Sequence, residues 1–161
     1  MTTDKITWVP PFPSTTPPKK KVYFGVFTCK GGVGKTTVAA HLAGAFALQH
    51  VNVALVDLDP EQNLQKLIGD GVEVPGPNGR GVAAIIEVFD TRGWHENAAK
   101  DAKIVICDCS PALERNDLEL IKKFDYCIIP TTLNPMGLNK HGKVIEDTLE
   151  KIVSAPKRWD G

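Results

Sequence analysis

From residue 29 to residue 37 the chain reads Cys-Lys-Gly-Gly-Val-Gly-Lys-Thr-Thr. Gly31, Gly32 and Gly34 let backbone N–H groups converge on an anion, because no Cβ stands in the way. A helix following the glycines adds its first-turn amides and the positive end of its dipole at the same point. Lys35 then supplies a point charge for the outer phosphates of a polyphosphate, and the Thr36 hydroxyl is a ligand for Mg²⁺. The usual spacing of such a loop is G-x-x-x-x-G-K-[ST]. Cys29 stands in the first glycine's place, so the standard pattern misses by one position. A dinucleotide-binding turn wants G-x-G-x-x-G, and here Gly32-Val-Gly34 runs on into Lys, Thr, Thr. A lysine and a hydroxyl in the turn suit a triphosphate with a metal better.

Three carboxylates complete the chemistry. Asp57 ends the apolar run VNVALVD, Asp59 follows two residues on, and Asp108 ends KIVICD. Ligands of parallel α/β sheets bind outside the C-terminal ends of the strands. Magnesium takes octahedral oxygen coordination and keeps several waters. One acid, the Thr36 hydroxyl and phosphate oxygens make such a site, and Asp108 is the better candidate. Asp57 is placed to orient Thr36 or the metal's waters, and Asp59 to orient an attacking water. Any one of them alone reads as a turn or helix cap.

These residues need strands and helices to hold them. Val22–Thr28 is a β-branched and aromatic run that predicts a buried strand leading into the glycines. Val38–His50 predicts a helix, with Val38, Leu42, Ala45, Phe46 and Leu48 as its apolar face. Further strands are expected at Val51–Asp57, Lys103–Asp108 and Asp125–Pro130, and helices at Asn63–Ile68, Val82–Phe89, Asp117–Phe124 and Leu138–Ile152. Gly69–Gly81, rich in Gly and Pro, reads as a loop. Alternating strands and helices imply an α/β fold with a mostly parallel sheet, flanked by helices on both faces.

At 161 residues the length suits one domain, and 42% hydrophobic residues suit a soluble globular protein. No apolar run reaches membrane-spanning length, and no signal-peptide core is seen near the N-terminus. Residues 1–20 hold five of the twelve prolines and predict an extended arm, leaving 21–161 as the folded domain. The formal net charge is zero, yet Asp4 against Lys5, Lys19, Lys20 and Lys21 gives the first 21 residues +3 and leaves −3 for the rest. That arm is a solvated tail or a weak electrostatic contact for nucleic acid. Cys29, Cys107, Cys109 and Cys127 lack metal-ligand or disulfide-scaffold spacing and read as reduced thiols of a cytoplasmic protein. His41 and His141 read as structural, and Trp8, Trp94 and Trp159 form no stacking array. Arg80 and Arg115 carry no discriminating signal.

Taken together, three blocks resemble the deviant Walker A ATPases of the ParA/MinD family, most of all the small plasmid-partition type. They are Lys30–Thr37 (KGGVGKTT), Val53–Asn63 (VALVDLDPEQN) and Ile104–Leu113 (IVICDCSPAL), with Asp125–Pro130 in agreement. The resemblance implies a P-loop ATPase that dimerises around ATP and Mg²⁺. Lys30 resembles the signature lysine that reaches the partner subunit's nucleotide. Gly31, Gly32, Val33, Gly34, Lys35, Thr36 and Thr37 resemble the phosphate loop. Asp57 looks like the metal-shell acid, Asp59 the residue that positions the hydrolytic water, and Asp108 the Walker B acid. Cys109, Ser110 and Pro111 look like the start of a switch that senses the γ-phosphate. A homodimer with ATP, a stimulating partition-type protein and non-specific DNA are the implied partners, with no membrane. Ser110 stands where the family usually has Pro, which predicts a more flexible switch. The chain also stops where family members continue into adenine-recognition and DNA-binding parts. A nucleotide-dependent interaction module without efficient hydrolysis, and a small-molecule kinase, are the competing readings.

Overall fold

The structure is a computed structural model and describes residues 21–28, 34–112, 115–131 and 146–151. Six strands form one sheet in the order β3-β4-β2-β5-β1-β6. They are β1 (Val22–Val26), β2 (Val53–Asp57), β3 (Gly71–Pro75), β4 (Val82–Asp90), β5 (Ile104–Asp108) and β6 (Tyr126–Ile128). Every pairing is parallel except that of β3 with β4. The helices are α1 (Lys35–Leu48), α2 (Asn63–Ile68) and α3 (Leu118–Ile121), and residues 146–151 are also helical.

The two central strands β2 and β5 are buried along their whole length, as continuous apolar runs in a sheet covered on both faces must be. On one face Phe24, Val26, Val53, Leu55, Ile104 and Ile106 pack against α1 and α2. On the other, Tyr23, Ala54, Val56, Val105 and Cys107 pack against Leu120 of α3 and against Ala99 and Ala102. Helices therefore stand on both faces, although turns over 91–101 cover much of the second.

The buried stripe of α1 differs from the expected one. Ala39, Ala43 and Ala47, spaced four apart, face the sheet, while Val38, Leu42 and Phe46 flank it half-buried. Leu48 is 69% exposed and Ala45 is exposed. A stripe of methyl groups lets the helix axis lie close to the sheet, so the larger apolar residues fill the sides. The helix also starts earlier than expected, at Lys35.

Two expectations fail between β2 and β5. Val82–Phe89 is a strand, not a helix. Its buried Ala84 and Ile86 alternate with exposed Ile85 and Glu87, a period of two, and Ile86 pairs with Val53 on one side and Val72 on the other. Gly69–Gly81 is not all loop, because β3 forms the sheet edge and turns back through a 3₁₀ turn at Pro77–Gly79. The Gly76 N–H donates to the Gly81 carbonyl across that turn at 3.0 Å. Pro75 closes an edge strand, where a missing donor is tolerated. The expected helix at Asp117–Phe124 shrinks to the single turn of α3, capped by the Asp117 carboxylate. Of the expected helix at Leu138–Ile152, positions 138–145 and 152 lie outside the described residues, as does the arm 1–20. Lys21 is not free for a partner: its ammonium donates to the carbonyls of Ala99 and Ala102.

Candidate nucleotide-binding site

β1, β5 and β2 end together. Val26, Asp108 and Asp57 stand in register on the three adjacent strands, with Asp90 next in the row on β4. The chain leaves β1 and starts α1 at Gly34, whose φ of 87° lies in the left-handed region that favours glycine. Gly34 caps α1 without a side-chain bond, and the first intrahelical bond is Val38 N–H to the Gly34 carbonyl. The amides of Lys35, Thr36 and Thr37 thus precede the helix ladder, where an anion fits.

Beneath that helix end, the Thr36 hydroxyl donates to Asp108 Oδ2 at 2.6 Å. Asp108 is 1% exposed, and its other oxygen, Oδ1, is buried with no hydrogen-bond partner. Burial pushes the Asp108 carboxyl up to about 6, Asp57 beside it pushes the same way, and the Thr36 hydrogen bond and Lys35 pull it down. Lys35 is 6% exposed and makes no ion pair among the described residues. A buried ammonium and an orphaned carboxylate oxygen at one helix terminus call for an anion and a cation respectively.

Asp57 is used differently. Its Oδ1 accepts the Asp59 N–H at 3.2 Å and its Oδ2 the Leu64 N–H at 3.0 Å, so it braces the turn into α2. Burial raises its pKa despite these bonds. Asp59 lies past the strand, closes a turn by accepting the Glu61 N–H at 3.0 Å, and faces the cleft.

The cleft above this cluster has a volume of about 460 Å³. Its floor is Gly34, Lys35 and Thr36; one wall is Asp59, Pro60, Glu61 and Asn63, and the other is Ser110, Pro111, Ala112 and Arg115. The structure brings together Lys35, Thr36, Asp57, Asp59, Asp108, Ser110 and Pro111. Thr37 is exposed on the first turn, where its carbonyl meets His41 Nδ1 at 2.7 Å. Lys30, Gly31, Gly32 and Val33 lie outside the described residues. Cys109 points away into the second core, its thiol pushed well up by burial, as is that of Cys107. Among the described residues no group of three or more His, Cys, Asp and Glu is placed to hold a metal ion.

Ser110 is buried, and its N–H donates to Asn116 Oδ1 at 2.6 Å, a bond that a proline in its place could not make. No spacing rule in the sequence marks Asn116. Arg115 carries no sequence signal either, and its place in the cleft comes only from the fold.

The fold is the α/β architecture of P-loop NTPases, with the cleft at the C-terminal ends of its central strands. The chain belongs to the CobQ/CobB/MinD/ParA nucleotide-binding domain family (CbiA), which matches residues 24–158. It is 28% identical over 123 residues to protein IncC of Escherichia coli, covering 63% of this chain and 32% of IncC. The fold is similar to that of apo McdA from Cyanothece, with TM-score 0.61, 19% identity and coverage of 86% of this chain and 68% of that one. It also resembles a plasmid partition protein of Borrelia burgdorferi bound to AMPPNP, with TM-score 0.53, 15% identity and coverage of 83% and 72%. At such identities the structural likeness speaks for the fold alone. The chain spans about a third of the length of IncC.

Proposed function

We propose that this chain binds ATP with Mg²⁺ and hydrolyses it as a dimerising ATPase of the ParA type, in the partition or positioning of DNA or other cargo. The observation that carries the reading is a buried Lys35, without an ion pair among the described residues, near an orphaned Asp108 oxygen beside the Thr36 hydroxyl. Phosphate oxygens satisfy the first, and a divalent ion the second. Thr36 and Asp108 would hold the ion, with Asp57 behind them in its shell, and the ion would supply charge neutralisation at the outer phosphates.

Within that site Lys35 binds the phosphates, and Gly31, Gly32, Val33, Gly34, Thr36 and Thr37 cradle them with backbone and hydroxyl groups. Asp59 stands on the cleft wall where it can orient a water, and Cys109, Ser110 and Pro111 begin the responsive segment. Lys30 acts on the nucleotide of a second copy. A partition-type stimulating protein, non-specific DNA and a cytoplasmic setting complete the proposal. Among the described residues no helix is long and apolar enough to cross a membrane.

Calorimetry with ATP and Mg²⁺ tests the site. The wild type should bind, and Lys35→Ala should lose at least about a hundredfold in affinity, since hydrogen bonds to charged groups are worth up to about 3 kcal/mol each. Equal affinity in both would remove Lys35 from the site.

A further inference from the structure

Asn116 is a polar side chain with little polar surface left over. It is 5% exposed and lies one residue before the Asp117 cap of α3. Its Oδ1 accepts the Ser110 N–H at 2.6 Å, and its Nδ2 donates to the carbonyls of Ser110 at 3.0 Å and Ala112 at 3.1 Å. The Ala112 N–H in turn donates to Ser110 Oγ at 3.3 Å. One amide therefore ties both ends of the stretch 110–112, and ties them to α3, whose Leu120 is anchored in the second core. A buried amide paired on both its oxygen and its nitrogen holds one rotamer, and removing it strands backbone groups.

The stretch so held is a wall of the cleft. It follows directly on Asp108, the carboxylate bonded to Thr36. Thr36 and Asp108 are the residues that would hold a divalent ion, which would supply charge neutralisation at the outer phosphates of a nucleoside triphosphate. Ser110, Pro111 and Ala112 line the same cleft as Lys35 and Thr36, across from Asp59, so they bound the space a phosphate chain would extend into. The α1 amides and Lys35 are equally available to a diphosphate.

We propose that Asn116 is a positioning residue of the nucleotide site: its side-chain amide latches Ser110–Ala112 in place, and the latched wall discriminates a nucleoside triphosphate from a diphosphate. The inference rests on the nucleotide reading of this cleft. It also gives Ser110 a reason, because the latch needs a backbone N–H at that position. Asn116 does not touch the nucleotide; it acts through the wall.

The test compares ATP and ADP affinity by calorimetry with Mg²⁺ in wild type, Asn116→Ala and Asn116→Asp, together with amide exchange of nucleotide-free protein. Asn116→Ala should weaken ATP about tenfold and ADP less than about twofold, the size expected for one or two lost hydrogen bonds. The Ser110 amide should lose protection in the same variant. Asn116→Asp keeps the acceptor for Ser110 but sets its second carboxylate oxygen against the Ser110 and Ala112 carbonyls, so its ATP loss should equal or exceed that of alanine; its ratio of ATP to ADP affinity carries the test alone if the alanine variant does not fold. An unchanged ratio of ATP to ADP affinity, whether both are retained or both fall equally, overturns the latch while leaving the site intact. A wild type that binds neither nucleotide overturns the site reading itself, and the latch with it.

Discussion

Asp108 has two unequal oxygens: one is bonded to Thr36 at 2.6 Å and the other has no partner in a buried setting. A functional group kept under such conditions costs stability in the empty protein. Its folded pKa is raised from 3.8 to about 6, so the folded state holds a proton that the unfolded chain releases between those values. The stabilising effect of that proton is complete below pH 3.8 and is lost as pH rises through about 6, amounting to at most about 3 kcal/mol. Asp108→Asn removes the charge. Nucleotide-free Asp108→Asn should therefore be more stable than wild type by about 1–3 kcal/mol at pH 7.5, with the gap closing near pH 4, and should lose Mg²⁺-dependent nucleotide binding. Thermal melts of both proteins across that range check the sign. A variant less stable than wild type at pH 7.5 would mean that the carboxylate is satisfied where the structure leaves it bare.

At the scale of elements, β1 depends on one missing side chain. Gly25 sits mid-strand between Cys107 of β5 and Cys127 of β6, and the ring of Phe124 fills the space above it. A Cβ added at Gly25 would stand 2.1 Å from the Phe124 ring, closer than atoms can approach. Gly25→Ala should cost about 1–3 kcal/mol by overpacking, and pairing it with Phe124→Leu should recover part of that loss in denaturant unfolding. Full additivity of the two changes would rule out the contact. The same element scale shows what the sequence made legible. β1, β2 and β5 were readable because strands buried on both faces are unbroken apolar runs, and their terminal acids carry the site. β4 was misread because Val82–Phe89 is a short apolar stretch whose period of two is blurred by Ala83 and Ala84. β3 was hidden by glycine and proline, which an edge strand paired on one side tolerates. In the site, Lys35, Thr36 and the acids follow from motif chemistry. Asn116 does not, because its bonds to Ser110 and Ala112 exist only once α3 has docked.

At the scale of the whole molecule, the proposed mechanism places part of each active site on another copy of the chain. Lys30→Ala and Asp59→Ala should each bind ATP, since neither removes the loop amides or Lys35, and each should be inactive alone. Asp59→Ala should in addition give longer-lived dimers with ATP in sizing experiments, because the nucleotide that holds them persists. A ligand bound more tightly by the dimer than by the monomer shifts the equilibrium by mass action, so wild-type specific activity should rise with protein concentration. The decisive case is a mixture of the two inactive variants. In a two-fold symmetric pair, the Lys30→Ala subunit keeps its own Asp59 and receives Lys30 from an Asp59→Ala partner, which completes one site per mixed dimer. Random pairing makes about half the dimers mixed, each with one working site of two, so the mixture should regain roughly a quarter of wild-type turnover. If Lys30 serves the nucleotide of its own subunit, every site in the mixture lacks either Lys30 or Asp59, and phosphate release stays at the level of the separate variants.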